Sequence, residues 1–167
     1  MTAEDITQYL TELNDELRLM EIKGEVALYG GAVMCVAFKA RPATKDVDAI
    51  FEPVREIRNA SHRIAERHNL RLDWLNFAVK MFVVDHPRQL FFELSNLRVT
   101  VPEADYLLAM KVLALRTDTE DENDADFLIR RLGLKSPAAV LKIVAYYYPK
   151  KEVKATTVLW IENFFEQ

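Results

Sequence analysis

Two aspartates, Asp46 and Asp48, have the residue type and spacing that suit metal chemistry. They alternate with apolar residues over 45–51, so on an extended strand both carboxylates point to the same face. Two strand rises separate them by about 6 to 7 Å. Like charges this close are unfavourable unless they share a proton or hold a cation. We expect Mg²⁺, or Mn²⁺ in its place, because Mg²⁺ typically takes one or two protein carboxylates together with substrate phosphate oxygens.

Two adjacent glycines, Gly30 and Gly31, suit the binding of phosphate. They lie between a predicted strand at 25–29 and a predicted apolar helix at 32–40. Glycine lets the backbone approach a ligand closely, and the free amides at a helix start favour an anion. A phosphate-binding turn that faces a metal-binding strand predicts a nucleoside-triphosphate site. Each half also has a simpler explanation, a tight turn for the glycines and an exposed strand face for the aspartates.

The hydrophobic pattern predicts the elements that hold these residues. Thr2 and Asp5 form a capping box at the start of a helix whose apolar residues repeat with the helical period. A strand at 45–51 follows the glycines and the apolar helix. The other elements predicted in this half are a helix at 53–68, a third strand at 70–75, a short helix at 76–84, and a hairpin of strands at 89–94 and 97–101.

The chain changes character near residue 102, where strands give way to helices. Helices are predicted at 104–116, 124–132, 137–147 and 156–165. The predicted fold class is therefore α+β. We expect a mixed β-sheet core with flanking helices over 1–102, and a helical half over 103–167 packed on it as one compact unit.

The composition narrows the function classes. Of the 167 residues 50% are hydrophobic, and 26 acidic residues against 22 basic ones give a net charge of −4. This balance predicts no broad surface for nucleic acid or for a lipid membrane. The longest apolar run is too short for a membrane helix, and the acidic N-terminus lacks the pattern of a secretory signal. Because Cys35 is the single cysteine, no internal disulfide is expected, and the predicted location is the cytoplasm.

The order of the glycines and aspartates resembles a family signature. A Gly-Gly pair followed by Asp-Val-Asp-Ala at 46–49 is similar to the signature of the nucleotidyltransferase (DNA polymerase β-like) superfamily. Within it the chain resembles bacterial nucleotidyltransferases related to the abortive-infection toxin group, over about residues 25 to 132. The segments that carry this resemblance are 41–48, 74–76, 78–80 and 106–111, with Ala114, Arg116, Asp121 and Asp124.

The resemblance implies a nucleotidyltransferase-like mixed sheet, an NTP donor and Mg²⁺. It makes Asp46 and Asp48 metal ligands and catalytic residues, and it places both glycines in the phosphate loop. Fourteen residues separate Gly31 from Asp46, at or slightly beyond the usual spacing. Family members usually place a third carboxylate on a later strand, and here Glu93 and Asp73 compete for that role. If neither reaches the metals, the site binds nucleotide without turnover.

Further residues are predicted to contact the nucleotide. Beside the aspartates these are Arg41, Thr44 and Lys45, although exposed loop residues of these types are also common without a ligand. On the later helix, Lys111 and Arg116 stand among apolar neighbours, so each cation either extends to the solvent at the rim or faces a phosphate or a carboxylate, and the resemblance favours the second for Lys111. Asp121 and Asp124, in the acidic run that follows, are the alternative partners for these two cations.

The leading hypothesis is an Mg²⁺-dependent nucleotidyltransferase. It transfers a nucleoside monophosphate from an NTP to a hydroxyl of an RNA such as a tRNA end, of a protein or of a small molecule. The toxin relatives suggest an antitoxin partner. One alternative is an inactive nucleotide-binding or interaction module with the same fold. Another is a two-metal nuclease, which the glycine pair disfavours because hydrolysis of a polymer needs no triphosphate cradle.

Overall fold

The computed structural model describes residues 1–167 and has an α+β fold with seven α-helices and a five-stranded mixed sheet. The predicted fold class is confirmed. The elements in chain order are α1 (Ala3–Leu19), β1 (Gly24–Tyr29), α2 (Gly30–Val36), β2 (Val47–Glu52), α3 (Val54–His68), β3 (Leu75–Asn76), a short 3-10 helix (Ala78–Met81), β4 (Arg88–Glu93), β5 (Leu97–Pro102), α4 (Ala104–Ala114), α5 (Glu120–Arg131), α6 (Pro137–Tyr147) and α7 (Ala155–Glu166).

The chain forms two compact units. The first unit comprises residues 1–83 and 88–102, and the second comprises residues 84–87 and 103–167. The whole sheet belongs to the first unit, and α4 to α7 belong to the second. No helix combines the length and the apolar character that crossing a membrane requires.

The sheet has the strand order β3-β2-β1-β5-β4. Strand β1 pairs antiparallel with β2 and parallel with β5, while β3 pairs parallel with β2 and β4 pairs antiparallel with β5. The predicted hairpin of the two last strands is confirmed. In this register Tyr29, the last residue of β1, lies opposite Asp48 in β2. The end of β1 is therefore next to the first residues of β2.

One face of the sheet is apolar and supports α1 and α3. Alternate residues of β1, β2 and β5 are fully or almost fully buried on this face, and their sequence neighbours are partly or largely exposed in β2 and β5. Gly24 lets both helices approach closely, because a β-carbon there would lie 2.8 Å from Leu17 Cδ1 and 3.0 Å from Ile57 Cδ1. The predicted capping box of Thr2 and Asp5 is present at the start of α1.

Several predicted boundaries need correction. The helix predicted at 32–40 begins at Gly30 and ends at Val36, because Lys39 takes a left-handed backbone conformation with φ of 53°. The strand predicted at 45–51 begins only at Val47, since β1 ends opposite Asp48 and offers no partner beyond it. The strand predicted at 70–75 is reduced to Leu75–Asn76, because residues before it form a turn.

A charged cluster joins α1 to α3. Arg67 donates to Glu12 Oε2 at 2.6 Å and to Glu16 Oε1 at 2.8 Å, and Arg63 donates to Glu16 Oε2 at 2.8 Å. The Nε2 atom of His68 lies 2.8 Å from Glu12 Oε1. Both glutamate side chains are largely buried, whereas the arginines remain about half exposed. These contacts connect residues of α1 and α3 that are 47 to 56 positions apart in the sequence.

This cluster predicts a loss of stability in acid. Burial acts to raise the pKa of Glu12 and of Glu16, but hydrogen bonds from neighbouring side chains hold both below the ordinary value of 4.5. A carboxyl whose pKa is lower when folded stabilises the fold above its unfolded pKa and loses that effect as the pH falls through the folded value. We therefore expect the free energy of unfolding to decline below about pH 4.5, measured by urea unfolding.

A double variant tests the origin of this decline. Glu12→Gln with Glu16→Gln is expected to lower the free energy of unfolding by about 1 kcal/mol near neutral pH and to flatten its decline in acid. The loss is small because the arginine partners are about half exposed, so each ion pair is weak by itself. Glu56→Gln with Glu66→Gln on α3 removes the same charge outside the cluster. If the cluster variant and the wild type lose stability in parallel below pH 4.5, the assignment is wrong.

Candidate functional site

Asp48 occupies the second position of β2, at the end of the sheet where β1 stops. Its neighbours in register are Tyr29 on β1 and Asn76 on β3. Val47 and Ala49 on either side of it are fully buried, whereas Asp48 is half-buried on the opposite face. Alternation along the strand therefore turns this carboxylate away from the α1 and α3 side of the sheet.

The carboxylate of Asp48 lies directly against the backbone of Gly30. Gly30 has a left-handed φ of 61°, and a β-carbon added to it would lie only 2.7 Å from Asp48 Oδ2. Only glycine combines this backbone conformation with so close an approach at little cost. The backbone of Gly30, the first residue of α2, is therefore in contact with the side chain of Asp48 in β2.

Gly31 is the next residue of the same site, and we name Gly30, Gly31, Arg41, Thr44 and Asp48 the Asp48 corner. A β-carbon there would overlap Nη1 of Arg41 and lie 2.7 Å from Oγ1 of Thr44. The guanidinium group and the hydroxyl therefore rest on the backbone of Gly31, next to the Gly30–Asp48 contact. Because α2 has only seven residues, it lacks the dipole of a long helix, and Arg41 and the backbone amides are the groups here that could hold an anion.

The loop that carries Thr44 is held in place by hydrogen bonds. Thr44 Oγ1 donates to the carbonyl of Asp46 at 3.2 Å. The backbone of Met1 pairs with Thr44 in both directions, with N–O distances of 2.8 and 2.9 Å. Asp46 is half-buried in the bend before β2, and Lys45 beside it is exposed. Since Asp46 precedes the strand, the separation expected from two strand rises does not apply to the aspartate pair.

A substitution at Gly30 tests whether the close contact matters. Gly30→Ala is expected to destabilise the fold by about 1 to 2 kcal/mol through the left-handed backbone and to displace the Asp48 carboxylate. Gly133→Ala is the matched control, because Gly133 has φ of 67° and nothing within 4 Å of its added β-carbon. We expect comparable stability losses in urea unfolding, but loss of Mg²⁺-dependent nucleotide binding only in Gly30→Ala. Equal nucleotide binding by both variants would contradict the assignment.

Glu93 lies at a distant part of the sheet. It faces Arg98 on β5 and accepts a hydrogen bond from Arg98 Nη2 at 3.0 Å. Arg98 in turn pairs in register with Glu25, four residues before Tyr29 on β1. Four strand rises amount to about 13 Å, and three strand spacings separate β4 from β2 as well. The structure therefore does not bring Glu93 to Asp48, and this choice of third carboxylate needs correction.

Asp73 lies in the turn that precedes β3. Both of its carboxylate oxygens accept hydrogen bonds from the Arg71 guanidinium, at 3.0 and 2.9 Å, and 58% of its side chain is exposed. Its negative charge is thus matched locally by Arg71. This arrangement stabilises the turn before β3.

Asn76 is the site residue that sequence reasoning overlooked. It lies beside Asp48 in register, and its Oδ1 accepts a hydrogen bond from Ala78 N at 2.8 Å. It also lines an open groove of about 300 Å³ with Arg58, His62 and Phe77. Leu75 is buried and Asn76 is not, but a strand of two residues leaves almost no hydrophobic pattern by which the sequence could indicate it. The strand beside Asp48 therefore presents an amide and not a carboxylate next to it.

The donor set of this corner suits a metal that is shared with a substrate. No group of three or more His, Cys, Asp or Glu side chains is arranged to hold a metal ion. Mg²⁺ commonly binds through one or two carboxylates and completes its shell with water and phosphate oxygens. Asp48, with Asp46 nearby in the chain, fits that requirement only if a phosphate supplies further ligands.

Lys111 and Arg116 belong to the second unit and have acidic partners there. The Nζ atom of Lys111, which is 9% exposed, lies 2.8 Å from Asp124 Oδ2 and 3.7 Å from Asp121 Oδ1. Arg116 Nε donates to Asp121 Oδ2 at 3.1 Å. The hypothesis that Asp121 and Asp124 bind these cations is confirmed. The nucleotide contacts predicted for Lys111 and Arg116 stay predictions.

The partners of Asp121 also set its acidity. Burial acts to raise the pKa of Asp121, but the hydrogen bond from Arg116 and the charge of Lys111 hold this pKa below its ordinary value. Asp121 therefore stays ionised at neutral pH and keeps both cations oriented. The helix start itself is capped by Thr119, whose Oγ1 accepts a hydrogen bond from Asp121 N at 3.2 Å.

The arrangement in the first unit joins one carboxylate, one guanidinium, one hydroxyl and two glycine amides. This combination can hold an anion on the amides and Arg41, and a cation on Asp48, at adjacent positions. Comparison with protein-family models, with curated proteins and with solved structures finds no match for the chain.

Proposed function

We propose that the protein is an Mg²⁺-dependent nucleotidyltransferase. The observation that carries the proposal is the pair of contacts at the glycines, with Asp48 against Gly30 and the Arg41 and Thr44 side chains against Gly31. A triphosphate and a hard cation attract each other, so a site for both must place its anion-binding and cation-binding groups side by side. These residues meet that condition.

Different residues would bind the phosphates and the metal ion. The Arg41 guanidinium is a planar donor that matches two phosphate oxygens, and the Gly31 amide adds a donor beside it. The Thr44 hydroxyl donates to the Asp46 carbonyl and holds the loop next to them. Asp48 and Asp46 would hold Mg²⁺, which neutralises the triphosphate and lowers the pKa of an acceptor hydroxyl when it is bound. In the reaction the acceptor hydroxyl would lose its proton to water as its oxygen forms a bond to the α-phosphorus. The bond from the α-phosphorus to the oxygen that bridges to the β-phosphorus would break, and pyrophosphate would leave with the electrons of that bond.

Labelled NTPs test the proposal directly. With cell extract as the source of acceptors, label at the α-phosphorus is expected to be transferred, whereas label at the γ-phosphorus is not. Asp46→Ala is expected to abolish the transfer. Absence of transfer with each of the four NTPs would overturn the proposed activity.

A second candidate is a nucleotide-binding module without turnover. The observation that favours it is Asn76, an amide in register with Asp48, together with the absence of a three-acid group. This candidate predicts that Mg²⁺·NTP binds and that no label is transferred. A partner protein, such as the antitoxin of a toxin–antitoxin pair, would then respond to the bound nucleotide.

A further inference from the structure

Positive charge is concentrated in one part of the second unit. Residues 135–161 contain five lysines and one acid, Glu152, although the chain as a whole has a net charge of −4. The lysines lie on α6, before it, and in the connection to α7. A local excess of positive charge is typical of a surface that binds a polyanion. The net charge of the whole chain does not reveal such a local excess.

An exposed aromatic side chain lies among these lysines in the chain, at the end of α6. Lys142 and Tyr146 are exposed and one helical turn apart, so they share a face of α6. The turn continues directly into Lys150 and Lys151, and Lys151 N donates to Tyr148 O at 3.1 Å. We name Lys142, Tyr146, Lys150, Lys151 and Lys154 the lysine–tyrosine surface.

Buried contacts fix this surface in place. Tyr148 is buried, and its hydroxyl lies 2.8 Å from the hydroxyl of Tyr106. Tyr147 donates to Asp105 Oδ2 at 2.9 Å, which ties the end of α6 to α4. The turn between α6 and α7 is therefore anchored in the core of the second unit, and its lysines extend from a rigid base.

Tyr146 is exposed but held in position. Its ring is 78% exposed and packs edge-on against the ring of Tyr147, with centroids 4.9 Å apart and an angle of 84°. An exposed aromatic ring that one neighbouring ring holds in place can stack with a nucleobase at a small cost in side-chain entropy. The lysines that precede and follow it in the chain would meet the phosphates of neighbouring nucleotides.

We propose that the lysine–tyrosine surface binds single-stranded nucleic acid, with the backbone phosphates on the lysines and one base stacked on Tyr146. An anionic membrane fits less well, because Tyr146 and Leu159 are the only large hydrophobic side chains exposed on α6 and α7, whereas a helix that lies on a membrane inserts a whole apolar face. The binding surface stands independently of the activity proposed above.

Fluorescence anisotropy with labelled single-stranded RNA and DNA of about twelve nucleotides tests the surface. The variant Lys142→Glu with Lys150→Glu and Lys151→Glu is expected to bind at least about tenfold more weakly than the wild type. Tyr146→Ala is expected to lose about tenfold through stacking alone. Three phosphate contacts predict a slope of about −2 for log affinity against log salt.

The control carries the same change in charge elsewhere. Arg18→Glu with Lys23→Glu and Arg55→Glu alters three exposed cations of the first unit, and we expect its affinity to remain within about twofold of the wild type. Far-ultraviolet circular dichroism establishes that all variants are folded. Equal weakening by both triple variants, no effect of Tyr146→Ala, absence of oligonucleotide binding, or binding to phosphatidylserine vesicles alone would overturn the proposal. No NTP is present, so this outcome is separate from that of the transfer assay.

Discussion

Asp48→Asn is expected to lower the rate of nucleotidyl transfer by about a thousandfold, the scale of loss when a charge-stabilising group is removed from a reaction site. The substitution keeps the shape of the side chain beside Gly30 but removes the negative charge that a cation requires. The measurement is transfer of α-phosphorus label under saturating NTP and Mg²⁺. We expect the folded structure to survive, because Asp48 is only half-buried.

Glu52→Gln provides the matched control for this substitution. Glu52 lies on the same strand, four residues further along, and is exposed. It pairs in register with Glu25, away from the glycines. We expect Glu52→Gln to retain the wild-type rate. If Asp48→Asn also retained that rate while the wild type is active, the carboxylate would have no part in the reaction.

Asn76→Asp is expected to strengthen Mg²⁺ binding by at least about tenfold. The new carboxylate would lie beside Asp48 in the neighbouring strand, and metal affinity rises with the number of charged oxygen ligands. Without a metal the two like charges repel, so the apoprotein should lose about 1 kcal/mol of unfolding free energy. The thermal midpoint, measured with EDTA and with increasing Mg²⁺, reports both effects.

Asn59→Asp is the control for added charge. Asn59 is exposed on α3 and does not line the groove that contains Asn76, so its substitution is expected to leave the response to Mg²⁺ unchanged. Should Asn76→Asp also leave that response unchanged, the Asp48 corner would not be a cation site. If Asn76→Asp converts a silent protein into one that transfers label, the binding-module hypothesis for the natural chain gains its strongest support.

The proximity of Gly30 and Asp48 was predictable because both depend on local rules. A glycine pair between a buried strand and an apolar helix indicates a tight backbone turn, and alternation along β2 places Asp48 opposite its buried neighbours. The antiparallel pairing of β1 with β2 then brings the end of one strand to the start of the other. Each step rests on residues that are close in sequence or adjacent in the sheet.

The neighbour of Asp48 on the next strand was not predictable, because it depends on the order of the strands. Glu93 lies on the strand before the hairpin turn, as expected, but β4 is at the opposite edge of the sheet from β3. Two residues of β3 suffice to place Asn76 beside Asp48, and so short a strand leaves almost no hydrophobic pattern. Long-range pairing decided this part of the site.

Long-range charge pairing also decided the surroundings of Lys111. The apolar helix around it indicated a buried cation with a partner, but two kinds of partner were consistent with the pattern. Packing of α4 against α5 brings Asp124 within 2.8 Å of it. The sequence spacing alone contained no information about the distance between these helices.

A crystal structure with Mg²⁺ and a non-hydrolysable NTP analogue tests the central claim most directly. We predict an ion on the carboxylate of Asp48 and the triphosphate on the amide of Gly31 and the guanidinium of Arg41. A nucleotide bound elsewhere, or an ion that makes no contact with Asp48, would contradict the account.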